Sequence, residues 1–288
     1  MQSFIKAALL ISALAFVLTG CGVIRTAEPV TNTYEFDGDI TDIIISTTAC
    51  DVVLVPSGDG STTVVCHEAD TLLHEVTLEK GVLRIRKKNS RTGISFNNMD
   101  LRIEVSFPVK NYNGLTAETT SGGISVDGAF SCRDAELKTT SGGIGFSGKV
   151  AGKLYTDSSS GSQHLTGVDC TSVRATSTSG GIHAETVSGK DLRFEATSGS
   201  IELTGVICGD LEAETTSGNI RFSGCDADSI TLKATSGNIK GSFLTGKRFT
   251  AKTGSGSVSV PDDAPGSGTC KATTGSGDIK ITVEKTNS

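Results

Sequence analysis

The stretch Leu211-Glu-Ala-Glu-Thr-Thr-Ser-Gly-Asn-Ile-Arg-Phe-Ser-Gly224 contains most of one unit of a repeat that decides the fold. Its Ser217-Gly218 pair recurs at Ser121-Gly122, Ser141-Gly142, Ser160-Gly161, Ser179-Gly180, Ser198-Gly199, Ser236-Gly237, Ser255-Gly256 and Ser276-Gly277. Successive steps are 20, 19, 19, 19, 19, 19, 19 and 21 residues. So short and constant a period marks a chain wound as a solenoid, one structural unit per coil.

Around each pair, apolar residues fall at alternate positions. After the glycine the first column reads Ile124, Ile144, Gln163, Ile182, Ile201, Ile220, Ile239, Val258, Ile279. Before the pair another reads Leu115, Ala135, Leu154, Val173, Leu192, Leu211, Ile230, Phe249, Cys270. A period of two is that of a strand with one buried face. The unit is therefore strand, tight turn, strand, loop, and the predicted fold is all-β: one chain wound as a parallel β-helix of about 19-residue coils. The Thr-Ser-Gly corner suggests that its glycine takes a positive φ. The small column Thr119, Thr139, Ser158, Ser177, Ala196, Thr215, Ala234, Thr253, Thr274 lies inside that corner, where hydroxyls can bond to backbone.

The array extends from 115 to 283 as nine such coils. Residues 39–114 read as irregular coils and a cap: Ile43, Ile45, Val52 and Leu54 fit the template, and Ala49-Cys50 stands where Ser-Gly stands elsewhere. An open solenoid end exposes unpaired strand edges, so a cap is expected.

Residues 1–20 read as a signal sequence, with Lys6 before an apolar run over 7–18 and Leu18-Thr19-Gly20-Cys21 after it. This pattern predicts a lipobox in which Cys21 is the lipidated first residue of the mature chain, with acyl chains as membrane anchor and residues 21–38 as tether. Loss of 1–20 removes Lys6 and no acid, taking the formal charge from −6 to −7. Acidic character, no Trp and only three Tyr argue against nucleic acid as a partner. The expected location is extracytoplasmic.

Seven further cysteines follow, an odd number for an exported chain. Cys270 falls in an inward column, Cys132, Cys170 and Cys208 read as loop residues, and Cys50–Cys66 and Cys208–Cys225 are the pairings to test. With no C-x-x-C and no spaced Cys/His set, no metal or other cofactor is expected. His164 and His183 stand on adjacent coils near Glu185 and Glu202, but two imidazoles without a third strong ligand more often decorate a surface. His67 and His74 come with no nucleophile motif, and clustered carboxylates for glycan cleavage are lacking, so no catalytic residue is assigned. Charges such as Glu118, Lys138, Glu195 and Lys233 on the outward columns also break up the flat Thr face that ice binding requires.

The Leu211–Gly224 run, repeated with variations from 115 to 283, resembles the bacterial putative-adhesin family, a domain of unknown function. The resemblance covers about residues 39–283 and implies a surface-anchored β-solenoid, with no catalytic residues to carry over. The expected function is a non-enzymatic cell-envelope adhesin, binding or scaffold protein. Its partners are the membrane, through the anchor, and an unidentified envelope or surface ligand. The alternative is an envelope-stress regulatory lipoprotein that binds a membrane-protein partner.

Overall fold

A computed structural model describes residues 27–90, 100–264 and 268–284. The first nine strands are β1 (Pro29–Phe36), β2 (Asp42–Ser46), β3 (Asp51–Pro56), β4 (Thr62–Ala69), β5 (Leu72–Glu79), β6 (Val82–Ser90), β7 (Arg102–Phe107), β8 (Asn111–Thr119) and β9 (Ile124–Thr139). From β8 onward the chain stacks coil on coil in parallel register. Leu115 faces Ala135, which faces Leu154, and so on through Val173, Leu192, Leu211 and Ile230. The Ile column runs alongside from Ile124 to Ile239. Both columns are buried, as their period of two predicts.

Stacking order departs from chain order at both ends. The coil made by β2 and β3 lies between β6–β7 and β8–β9: Ile43 faces Leu83 on one side and Leu115 on the other, and Val52 faces Ile103 and Ile124. At the far end the last coil in sequence is the penultimate one in space. Cys270 faces both Ile230 and Phe249, and Ile279 faces both Ile239 and Val258. The coil over 248–260 is thus outermost, which leaves Val258 43% exposed while Ile279 is fully buried. Eleven rungs from Leu83 to Phe249 span about 48 Å at strand spacing.

Beyond the coils, the N-terminal end closes with antiparallel pairing of β4 on β7, β1 on β4 and β5 on β6. This corrects the tether over 21–38: residues 29–36 are β1. Its inward positions Val30, Asn32, Tyr34 and Phe36 alternate with exposed ones, and it covers the edge that β4 would leave open.

In most of the coils the turn glycine is required for a different reason from the expected one. Gly142, Gly161, Gly180, Gly199, Gly218 and Gly237 have no positive φ. A Cβ on any of them would lie 1.9–2.1 Å from the carbonyl oxygen of the preceding turn's glycine in the stack, so the backbones touch where a side chain would sit. At the turn, positive φ occurs in the last two pairs, at Gly256 (139°) and Gly277 (142°); along the rest of the array it belongs to the opposite corner, at Gly167 (63°), Thr186 (54°), Gly205 (60°) and Gly224 (59°). The hydroxyl column bonds inside the turn as expected: Thr139 Oγ1 donates to Gly122 O at 2.9 Å, and Thr215 Oγ1 to Gly199 O at 2.9 Å. Each turn also continues the ladder through serine amides, as in Ser179 N to Ser159 O at 2.8 Å.

The loop is itself a third inward face. Val168, Val187 and Val206 are buried there. Cys132, Cys170 and Cys208, read as loop residues, lie on strands in one column with Tyr112, Val150, Gly189 and Ala227. Cys132 and Cys170 are buried and Cys208 is partly so. All seven described cysteines are free thiols, including those of both candidate pairs.

Candidate binding face

The long strand of each coil presents outward residues that stack into ladders at the coil repeat. One ladder runs Tyr155, Arg174, Arg193, Glu212; the next runs Asp157, Thr176, Glu195, Glu214, Lys233. Ion pairs bind the two. Arg193 reaches Glu195 and Glu212, each at 2.6 Å, Arg174 reaches Glu195 at 3.0 Å, and Lys233 reaches Glu214 at 3.4 Å. Burial works to raise the Glu195 carboxyl, but the bonds and charge of Arg193 and Arg174 outweigh it and hold it below the ordinary carboxylate range. Glu212 moves the other way, pushed up by burial and by its neighbour Glu214.

Two shallow grooves flank this ridge. One, of about 600 Å³, is lined by Tyr155, Arg174, Arg193, Asp191, Asp210 and Glu212. The other, of about 360 Å³, runs along the turns past Thr176, Thr178, Thr197, Thr216 and Thr235. Each crosses several coils, so a ligand lying along the axis would meet a new group every ~4.8 Å, a threonine at each coil in the second groove and cations passing into acids in the first. The chemistry on offer is repeated hydrogen bonding and charge pairing.

On the short-strand face, the His164 and His183 rings stack 4.7 Å apart with planes 5° from parallel. His183 Nδ1 lies 3.2 Å from Glu202, which also pairs with Arg221 at 3.3 Å. Among the described residues no group of three or more His, Cys, Asp or Glu side chains is placed to hold a metal.

The N-terminal end holds a polar chain that sequence reasoning found only at His74. Thr47 Oγ1 and His74 Nε2 are 2.8 Å apart, His74 Nδ1 and Glu68 Oε1 are 2.7 Å apart, and Asn32 Nδ2 donates to Glu68 Oε2 at 2.8 Å. The order hydroxyl, imidazole, carboxylate is that of a hydrolase triad. Here the His74 and Glu68 side chains are wholly buried, so the chain joins β1, β4 and β5 to the turn after β2 and meets no substrate. No local spacing signals it, since the four residues come from four separate segments. His67 is half-buried and sits against Thr31 Oγ1 at 3.3 Å. Cys21 lies outside the described residues. Among them no helix is long and apolar enough to cross a membrane.

The Toastrack DUF4097 model matches residues 40–204 and again 187–288, and the chain belongs to that family. Two solved structures from Parabacteroides distasonis have similar folds. A "putative lipid binding protein" is 18% identical, with 89% of this chain and 97% of that chain covered and a TM-score of 0.54. A "putative adhesin" is 14% identical, with 88% and 97% covered and a TM-score of 0.53. No curated protein matches the chain. At these identities the likeness is one of fold.

Proposed function

We propose that this protein is a non-enzymatic, extracytoplasmic surface protein, lipid-anchored through Cys21, that binds an envelope or surface ligand along the long-strand face of its solenoid. The observation that carries this reading is the ion-paired ridge between two grooves, which offers polar and charged contacts at each successive coil. Weak contacts made at several coils together raise the effective concentration of each for the next, so affinity grows with ligand length. Residues 1–20 serve as the signal sequence and the chain after Cys21 leads into β1. The "adhesin" description of the related fold agrees with this role.

Proximity crosslinking of the native protein on intact cells tests the reading. Diffuse labelling of envelope polymers, reduced in an Arg174→Gln/Arg193→Gln variant, is the expected result. A single dominant membrane-protein partner, lost on replacing residues within 39–114, would instead establish the regulatory alternative. Cys21→Ala should release the protein from the membrane fraction, and retention there would remove the anchor from the proposal.

A further inference from the structure

Charge is divided unevenly along the solenoid. Residues 21–228 carry 17 Lys and Arg against 28 Asp and Glu, whereas residues 229–288 carry 8 against 4. Along the body, cations find acids on the same or the adjoining rung: Lys138 faces Glu118, Arg221 faces Glu202, and the stacked Arg174 and Arg193 both pair with Glu195. At the C-terminal end cations accumulate instead. Because the last coil slips in beneath the one before it, Lys280 lands directly against Lys240, which itself faces Arg221. Like charges directly opposite one another in a sheet repel. On the other side of the turn, Lys233 and Lys252 flank Thr273, and Lys271 lies on the neighbouring ladder.

The acids at this end are largely committed elsewhere. Asp278 accepts from Ser257 N at 3.0 Å and Ser257 Oγ at 2.8 Å, Asp263 from Phe249 N at 2.8 Å, and Glu284 from Ser242 Oγ at 2.8 Å. Asp278 also feels the charge of Lys240. Lys240, Lys252, Lys271 and Lys280 are exposed.

We propose that the C-terminal end of the solenoid binds a linear polyanion, a polymer bearing phosphate or carboxylate groups, which bridges Lys240 and Lys280 and continues around the turn toward Lys271 and Lys252. The adjoining lysines offer two cations one coil apart, and an anion between them relieves their repulsion. A flexible polymer fits better than a lipid surface, because the cations lie on two faces that diverge from the turn and a flat bilayer meets one face at a time. The site's Lys240–Lys280 pair lies on the short-strand face, apart from the grooves, while Lys271 and Lys252 continue the long-strand ladders beyond the groove residues Thr231 and Lys233.

The test is binding of the full-length protein to inorganic polyphosphate and to poly-glutamate at 50 and 200 mM salt, with neutral dextran and phosphatidylglycerol vesicles alongside. The expected result is salt-sensitive binding to at least one polyanion and none to dextran. Lys240→Gln/Lys280→Gln should weaken it roughly tenfold and reduce the log–log salt slope by nearly two. The same variant should keep or raise the Tm, since it removes a like-charge pair. The Arg174→Gln/Arg193→Gln variant should bind polyanion as the wild type does, which separates this site from the face proposed above. No polyanion binding at 50 mM salt, equal loss in both variants, or preference for vesicles over soluble polymer would overturn the proposal. A preference for one polyanion over the other names the anion.

Discussion

The turns at Gly180 and at Cys50 occupy corresponding places in one stack and are filled by opposite means. At Gly180 the neighbouring turn comes so close that a Cβ would lie 2.1 Å from Gly161 O. Backbone packs on backbone, and the rest of the coil supplies apolar side chains. At Cys50 the Ser-Gly pairs end, and a buried thiol stands where glycine stands in the array. Gly122 still sits on Cys50, with a Cβ at Gly122 reaching only 1.9 Å from Cys50 O. On the other side the Cys50 thiol enters a cap built from antiparallel strands and the buried Thr47–His74–Glu68–Asn32 chain. A repeat sustains itself by sameness, and its end needs residues that occur nowhere else in it.

Buried thiols occur in both regions, and they produce the largest expected effect. Burial pushes Cys50 up to about 11, and Cys132, Cys170, Cys208 and Cys270 up to about 12, from the ordinary 9.0. An unfolded chain loses these protons first. Stability is therefore complete below about pH 9 and falls as pH rises toward the folded values, by about 1.4 kcal/mol per thiol per pH unit. Unfolding midpoints from pH 7 to 10.5 should drop steeply at the alkaline end. A Cys132→Ala/Cys170→Ala/Cys208→Ala variant should flatten the drop more than Cys50→Ala does, because it removes three of the thiols. A flat wild-type profile would mean the thiols are not buried.

Next in size is the cap's polar chain. His74→Ala leaves the Glu68 carboxylate buried without its imidazole, a loss of about 3–5 kcal/mol. If the cap is a separate cooperative unit, amide exchange should quicken in β1, β4 and β5 while the coils beyond Gly142 keep their protection. Uniform loss of protection would show that cap and coils unfold together, and the comparison would then concern packing alone.

A direct exchange of the two turns comes third. Gly180→Ala forces a methyl into backbone and should cost about 3 kcal/mol, whereas Cys50→Ala trims one sulfur and should cost about 1 kcal/mol. Urea titrations of the two variants decide this. Equal costs would mean that turn glycines are chosen for flexibility and not for contact.

These contrasts also show what the chain reveals before it folds. The Ile124-to-Ile279 and Leu115-to-Cys270 columns are legible because alternation and a fixed step leave one way to place them. The cause of the turn glycine is not legible, since close approach and positive φ both call for glycine. Cys132, Cys170 and Cys208 could have been placed inside from their register with Val150, but the corner before them hides the alternation. The inverted end coils carry no local mark: every coil fits against every other, so pairing order is a long-range outcome. The candidate face is visible as charge ladders, while the grooves beside it depend on side-chain direction, and Thr47, Glu68 and His74 meet only in three dimensions. Gln163 is the instructive case within a column. It sits fully buried among isoleucines because Thr156 Oγ1, on the facing strand, donates to its Oε1 at 2.6 Å.

The smallest predicted effect concerns the corner opposite the turn, where regular coils have their own exception. Thr186 holds φ at 54° in the place where Gly167, Gly205 and Gly224 hold 63°, 60° and 59°. A β-branched residue in this left-handed region is strained, at a cost of about 1–2 kcal/mol. Glycine removes that strain but gains entropy in the unfolded chain, which offsets part of the benefit. Thr186→Gly should therefore stabilise by about 0.5–1 kcal/mol, read as a higher urea midpoint with an unchanged m-value. The reciprocal Gly205→Thr should destabilise by a similar amount, because a Cβ there meets no atom closer than 3.9 Å and only the backbone angle objects. If Thr186→Gly instead destabilises, its side chain contributes contacts that outweigh the strain. In that case glycine at this corner, unlike glycine at the Ser-Gly turn, is a preference that packing can override.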